Sequence, residues 1–259
     1  MTVLDRILDR KREEIAELRR KTDERTLAAR AREAGPTRGF ARALTVGARP
    51  RVIAEFKRAS PSKGEIRPGA DAAQIARAYA DAGAAALSVL TDRDFFRGSL
   101  DDLRRAREAC ALPVLRKDFT LDRIQILEAR ASGADAVLLI VAALDDAELR
   151  DLLACAREVG LDALVEVHTG AELERALALG VELVGINNRD LHSFKTDVAV
   201  TRALLPRASG RTVISESGLD SAQVVRALEA EGVQAFLVGE ALMRESDPGA
   251  ALRRLRGVP

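Results

Sequence analysis

Eight short runs of apolar, largely β-branched residues recur along the chain: Val52–Phe56, Ala86–Thr91, Pro113–Phe119, Ala136–Val141, Ala163–Val167, Leu183–Asn187, Thr212–Ser217 and Ala235–Gly239. Continuous apolar runs of this length are strands buried on both faces, the signature of a parallel sheet covered by helices. Helical patterns lie between them at Asp71–Ala82, Leu100–Cys110, Ala147–Val159, Ala171–Leu179 and Ser221–Glu231. Gly83, Gly133, Gly160, Gly180 and Gly232 stand where each helix should end, the position glycine favours because it accepts a left-handed backbone. Successive runs begin roughly 20 to 34 residues apart, the size of a βα unit.

Eight βα units in a chain of 259 residues have the stoichiometry of a (β/α)8 TIM barrel. A doubly wound open sheet is the alternative, because periodicity does not distinguish a closed sheet from an open one. Against it, no G-x-G-x-x-G opens a helix at any strand–helix junction,. Ahead of the barrel, Val3, Leu4, Ile7, Leu8, Ile15 and Leu18 recur at helical spacing among charges in residues 1–34, and Gly35–Pro50 is a connector punctuated by glycine and proline,. Residues 1–259 are therefore expected to form one barrel domain, with residues 1–50 as an N-terminal helical extension.

Charge and cysteine content narrow the setting. Lys+Arg 41 against Asp+Glu 40 leaves a net charge of +1, so no basic excess points to nucleic acid. Cys110 and Cys155 cannot build a disulfide framework, which favours a reducing, cytoplasmic compartment,. No uninterrupted apolar run is long enough for a membrane span, and the start is too charged for a signal peptide,. Within the basic count, lysine supplies only 6 of the 41: Lys11, Lys21, Lys57, Lys63, Lys117 and Lys195. Each invites the question of what arginine could not do there.

In a TIM barrel the reactive face lies at the C-terminal ends of the strands, and the two-residue strand period tells which side chains share a face. Glu55 and Lys57 share one face at the end of the first run, as do Leu115, Lys117 and Phe119 in the third. The fifth places the lone carboxylate of Glu166 in an apolar stretch, and the sixth ends with Asn187 and Arg189 on one side. Ion pairs that merely cap the barrel would explain any one of these. Four runs ending this way favour an active site, because a charge taken from water costs several kcal/mol unless paired, and such clusters perturb pKa values as acid–base chemistry requires. Lysine matters because its pKa can be lowered into a useful range, whereas arginine stays protonated. Lys57 and Lys117 thus read as proton donors or Schiff-base formers.

The seventh and eighth runs end in Ser217-Gly218 and Gly239-Glu240. Small residues there let backbone N–H groups approach a phosphate, a common arrangement in TIM barrels. Phe95 and Phe96 follow the second run in a chain with 3% aromatic residues, suggesting with Phe119 an apolar wall for a ring; plain packing is the bland alternative. His168 and His192 are the only histidines and form no metal-ligand pattern, so no metal is expected,. For His168 a packing or hydrogen-bonding role is preferred. Both cysteines fall in helical patterns, as small core residues.

These segments resemble one family, indole-3-glycerol phosphate synthase. The resemblance runs through Ile53–Gly64, Leu87–Thr91 with Phe95–Ser99, Pro113–Phe119, Val165–His168, Gly185–Leu191, Ser215–Gly218 and Gly239–Arg244, and extends to Leu4–Leu8 and Lys11–Glu14 at the start. It implies a cofactor-free ring closure of 1-(2-carboxyphenylamino)-1-deoxyribulose 5-phosphate, a phosphosugar joined to anthranilate, with loss of CO2 and water. By the same resemblance Lys117 is the general acid at the ketose carbonyl and Glu166 the acid–base group of dehydration. Glu55 and Lys57 complete the charged cluster, and Asn187 orients substrate hydroxyls. Ser60 and Arg189 lie near the carboxylate; Ser217, Gly218, Gly239 and Glu240 hold the phosphate, the last two through backbone N–H; Phe96, Phe119, Leu138 and Leu191 wall the ring. Some relatives place a tryptophan of the extension against that ring, and this chain has none. A monomer is favoured, with no nucleic-acid or membrane partner. Two other readings of the same strand ends are a Schiff-base aldolase and a non-catalytic phosphosugar-binding barrel.

Overall fold

Parallel pairing runs unbroken around eight strands, β1 (Val52–Phe56), β2 (Ala86–Leu90), β3 (Val114–Lys117), β4 (Ala136–Ile140), β5 (Asp162–Val167), β6 (Leu183–Asn187), β7 (Thr212–Glu216) and β8 (Ala235–Val238). The ring closes because β1 pairs on one side with β2, Ile53 opposite Ala86, and on the other with β8, Val52 opposite Phe236. This computed structural model describes residues 2–190 and 193–258. Closure excludes the open doubly wound sheet and gives the (β/α)8 TIM barrel. Gly83, Gly133, Gly160, Gly180 and Gly232 all have positive φ at the ends of the helices they follow.

Side chains alternate as the strand period requires. Val52, Ala54, Val137, Leu139, Val165, Val184 and Val213 point outward against the helices. Ile53, Leu115, Leu138, Leu164, Leu183, Ile214 and Leu237 fill the interior. Phe40 and Leu44, fully buried in the connector, join that interior layer and plug its N-terminal end. The plug is held by carboxylates at strand starts. Asp162 accepts the Ala41 N–H at 2.8 Å, and buried Asp135 accepts the N–H groups of Arg38 and Val114 at 2.7 and 2.8 Å.

Residues 2–34 of the extension form two helices, and the connector adds a short third, Phe40–Ala43. Val3–Lys21 starts in a capping box between Thr2 and Asp5, and Glu24–Glu33 starts at Asp23, which accepts the Thr26 N–H at 2.7 Å, satisfying backbone donors that a helix start leaves free. Leu27 of the second helix packs on Ile124 and Leu127 of the helix Arg123–Ala131, with Ile15 and Leu18 of the first against the same cluster. After β1, Ala59–Ser60 and Gly64–Glu65 pair as a short antiparallel hairpin, an element too short for periodicity to reveal. Among the described residues no helix is long and apolar enough to cross a membrane, and Cys110 and Cys155 are both free.

Candidate active site

The inward faces of β1, β3, β5, β6 and β7 end in polar groups that meet at the barrel mouth. Lys117 Nζ donates to Glu166 Oε2 at 2.7 Å and to Glu216 Oε2 at 2.9 Å. Asn187 Nδ2 donates to Glu166 Oε1 at 3.1 Å. Beside this group Lys57 Nζ lies 2.9 Å from Glu55 Oε1, and Ser88 Oγ donates to Glu55 Oε2 at 3.2 Å. The sheet produces the arrangement directly: Glu166 is paired with Gly185 and Asn187 with Glu216 across neighbouring strands, so residues of one parity line one level of the mouth,.

Burial and charge set the protonation states. Burial opposes the Lys117 ammonium, but Glu166 and Glu216 overcome it and hold the amine above the ordinary lysine range. The sequence expectation of a lowered lysine pKa is thus reversed, because two carboxylates from β5 and β7 face one ammonium,. Burial pushes both carboxyls up. For Glu166 the Lys117 charge and the His168 imidazole outweigh it, leaving the group well below the usual range. For Glu216 burial and the like charge of Glu166 prevail over Lys117, and its carboxyl is raised.

Two connected lobes open above the cluster. The first is bounded by Phe96, Phe119, Leu138 and Ile140, with Ser60 and Asn187 at its edge; the Phe96 and Phe119 rings lie tilted with centroids 6.2 Å apart. Its roof is the first turn of the N-terminal helix, Val3, Leu4 and Ile7. The second lobe is polar and takes in Lys63, Arg189, Ser217, Gly218, Gly239 and Arg244. Glu240 borders both, its carboxylate turned to Arg244 at 3.0 Å and toward Arg189 and Lys63 at 3.8 and 3.9 Å. Arg189 donates its N–H to Asn187 Oδ1 at 3.1 Å, so β6 fixes both. Leu191, expected to wall the ring, lies outside the described residues, as does His192.

Glu216, Lys11 and the roof of the first lobe escaped the sequence reading. Glu216 follows Ile214 at the same parity that singled out Glu166, but its Ser-Glu-Ser-Gly segment reads first as a phosphate turn. Lys11 falls on the apolar stripe of its helix, one turn past Ile7. It is only 2% exposed, with Nζ 2.6 Å from Glu14, 3.0 Å from Asp92 and 2.8 Å from Asp118. Asp118 also accepts the Phe119 N–H at 2.8 Å and Asp92 the Phe95 N–H at 2.8 Å. One buried ammonium thus ties the roof to both turns that carry the aromatic wall. Burial opposes the charged form of Lys11, and Asp118 and Asp92 override it, raising its pKa.

Gly185 matters for close approach rather than for backbone freedom. A Cβ there would collide with Glu216 Oε1 and press on Leu164. Gly185→Ala is expected to cost about 1–3 kcal/mol, as overpacking a filled core does, and to drive Glu216 off Lys117. Urea denaturation checks this, and a midpoint equal to wild type would refute it.

Among the described residues no group of three or more His, Cys, Asp or Glu side chains is arranged to hold a metal ion. Solved structures with the same architecture include 3-hexulose-6-phosphate synthase from Salmonella typhimurium, with TM-score 0.64 at 14% identity over 80% of this chain and 97% of that one. The tryptophan synthase complex from Pyrococcus furiosus matches with TM-score 0.60 at 16% identity over 81% and 98%. Thiamine phosphate pyrophosphorylase from the same organism gives 0.59 at 16% over 80% and 94%. At such identities these establish the fold alone. The sequence itself goes further: the family model for indole-3-glycerol phosphate synthase matches residues 4–255, and the chain belongs to that family of carboxy-lyases of tryptophan biosynthesis.

Proposed function

We propose that the two-lobed mouth binds 1-(2-carboxyphenylamino)-1-deoxyribulose 5-phosphate with its anthranilate ring in the aromatic lobe and its phosphate in the polar one. The ketose carbonyl then lies over Lys117. The Glu166–Lys117–Glu216 cluster carries this reading, because it supplies one ammonium poised to donate and one carboxylate held ionised,. Lys117 protonates the carbonyl oxygen as the carboxylate-bearing aryl carbon attacks, which makes that carbon tetrahedral. Loss of CO2 restores the aromatic ring. In the dehydration that completes indole-3-glycerol phosphate, the hydroxyl formed from the carbonyl leaves as water with a proton from Lys57, and Glu166 takes the proton lost from the neighbouring carbon.

Asn187 and Arg189, fixed together on β6, orient the substrate hydroxyls and carboxylate, with Ser60 beside them. The Gly218 and Gly239–Glu240 backbone, Ser217, Lys63 and Arg244 hold the phosphate, so binding energy from a remote group supports orientation at the reacting carbons. Glu55 pairs with Lys57 at the junction of the lobes. The functional unit is a single chain, since one barrel supplies every group named, and its two free cysteines suit a reducing cytoplasm,.

Indole fluorescence on adding substrate to purified protein, without metal or cofactor, is the expected result. Ligand binding with no fluorescence would instead favour a phosphosugar-binding barrel. A borohydride-trapped lysine adduct would favour the Schiff-base aldolase.

A further inference from the structure

Two buried carboxyls flank one ammonium at almost equal distance, Glu166 at 2.7 Å and Glu216 at 2.9 Å from Lys117 Nζ. Both are nearly inaccessible, 3% and 2% exposed. Lys117 by itself does not choose between them, yet acid–base chemistry needs one of the two to be a dependable base. What differs is the far side of each. Glu166 Oε1 accepts from Asn187 and stands 3.3 Å from His168 Nε2, an ion-pair distance without a hydrogen bond. Glu216 Oε1, packed over Gly185, has no hydrogen-bond partner among the described residues.

His168 follows Glu166 by two residues, so both face the mouth. Behind it, Glu172 in the first turn of the helix Gly170–Ala178 accepts the His168 N–H at 2.8 Å and lies 3.3 Å from Nδ1. The imidazole is thus enclosed between two carboxylates. Burial works against its charged form, but Glu166 and Glu172 override this and push its pKa up to about 10.

We propose that His168 is a positioning residue that assigns the role of base to Glu166 rather than Glu216 and preserves it through the reaction. Lys117 becomes a neutral amine when it transfers its proton to the carbonyl oxygen, and at that moment neither carboxyl retains its ammonium partner. His168 takes no part in that transfer. It remains a cation against Glu166 Oε1, so Glu166 stays ionised for dehydration while Glu216 is the carboxyl that carries a proton. The charged and titratable groups facing Glu166 are Lys117 from β3, His168 from its own strand and Glu216 from β7; those facing His168 are Glu166 and Glu172.

The inference rests on the acid–base roles proposed above, and its test separates the two. The measurement is the pH dependence of kcat and KM for His168→Asn, with circular dichroism as a check on folding. Removing the cation raises the Glu166 pKa, so the acidic limb of kcat moves to higher pH, by about 1–3 units, the usual effect of an opposite charge at this range, while KM stays near wild type. Glu172→Gln, which loosens the hold on His168 without touching Glu166, moves the limb the same way by less. A merely structural role would lower the melting temperature or raise KM and leave the limb in place. An unmoved limb in both variants overturns the proposal. Failure of the underlying roles looks different: the wild-type protein then makes no indole product, or Lys117→Ala retains its rate.

Discussion

Replacing Lys117 with alanine leaves a folded barrel whose turnover falls about 10²- to 10⁴-fold, the range for loss of a positioned acid. The fold survives because the charges left behind are already provided for. Burial and Glu166 raise the Glu216 carboxyl, so that group is readily protonated, and Glu166 keeps Asn187 and His168 at Oε1. What the variant lacks is the one ammonium, among the described residues, in contact with both carboxyls at the centre of the mouth. Indole fluorescence from saturating substrate reports the rate, and far-UV circular dichroism reports the fold. Turnover near wild type would remove Lys117 from the chemistry.

The second large effect is on stability. Lys11→Met keeps much of the side chain's bulk but leaves the carboxylate of Asp92, which is 0% exposed, without its ammonium partner. Asp118 fares better, since Thr91 Oγ1 still donates to it at 2.5 Å and Arg116 approaches at 3.4 Å. Breaking a buried ion pair by deleting one partner costs about 3–5 kcal/mol, and the urea midpoint should fall accordingly. The roof built from Val3, Leu4 and Ile7 should loosen as well, so KM rises more than kcat falls. A stability loss below about 1 kcal/mol, the scale of an exposed pair, would mean that Lys11 does not hold the helix down.

Most of the barrel was legible because its strands are covered on both faces, and continuous β-branched runs between glycine-terminated helices have few other solutions. Parity then brought Glu55, Lys57, Lys117, Glu166 and Asn187 to one place. Parity also applied to Glu216, but the small residues around it carried a competing and equally physical reading as an anion turn. Lys11 shows a different limit. A lysine on an apolar stripe ordinarily extends its head into water, and nothing local announces that Asp92 and Asp118 wait beneath it. The direction of the Lys117 pKa was hidden for a related reason: its partners lie 49 and 99 residues further along the chain, so their number and distance belong to the closed ring rather than to any segment.

That closure also orders events in time. The pairing of β1 with β8, Val52 against Phe236, can form only when nearly the whole chain is present, and until then the growing sheet has two open edges able to recruit other strands. Contacts so distant in sequence are slow to form. Lys117 and the groups that meet around it arrive from five strands spread around the ring, so a partly closed barrel carries all the charges and no working site. Recovery of activity after dilution from denaturant therefore follows completion of the ring, and the enzyme reports on its own folding through its turnover.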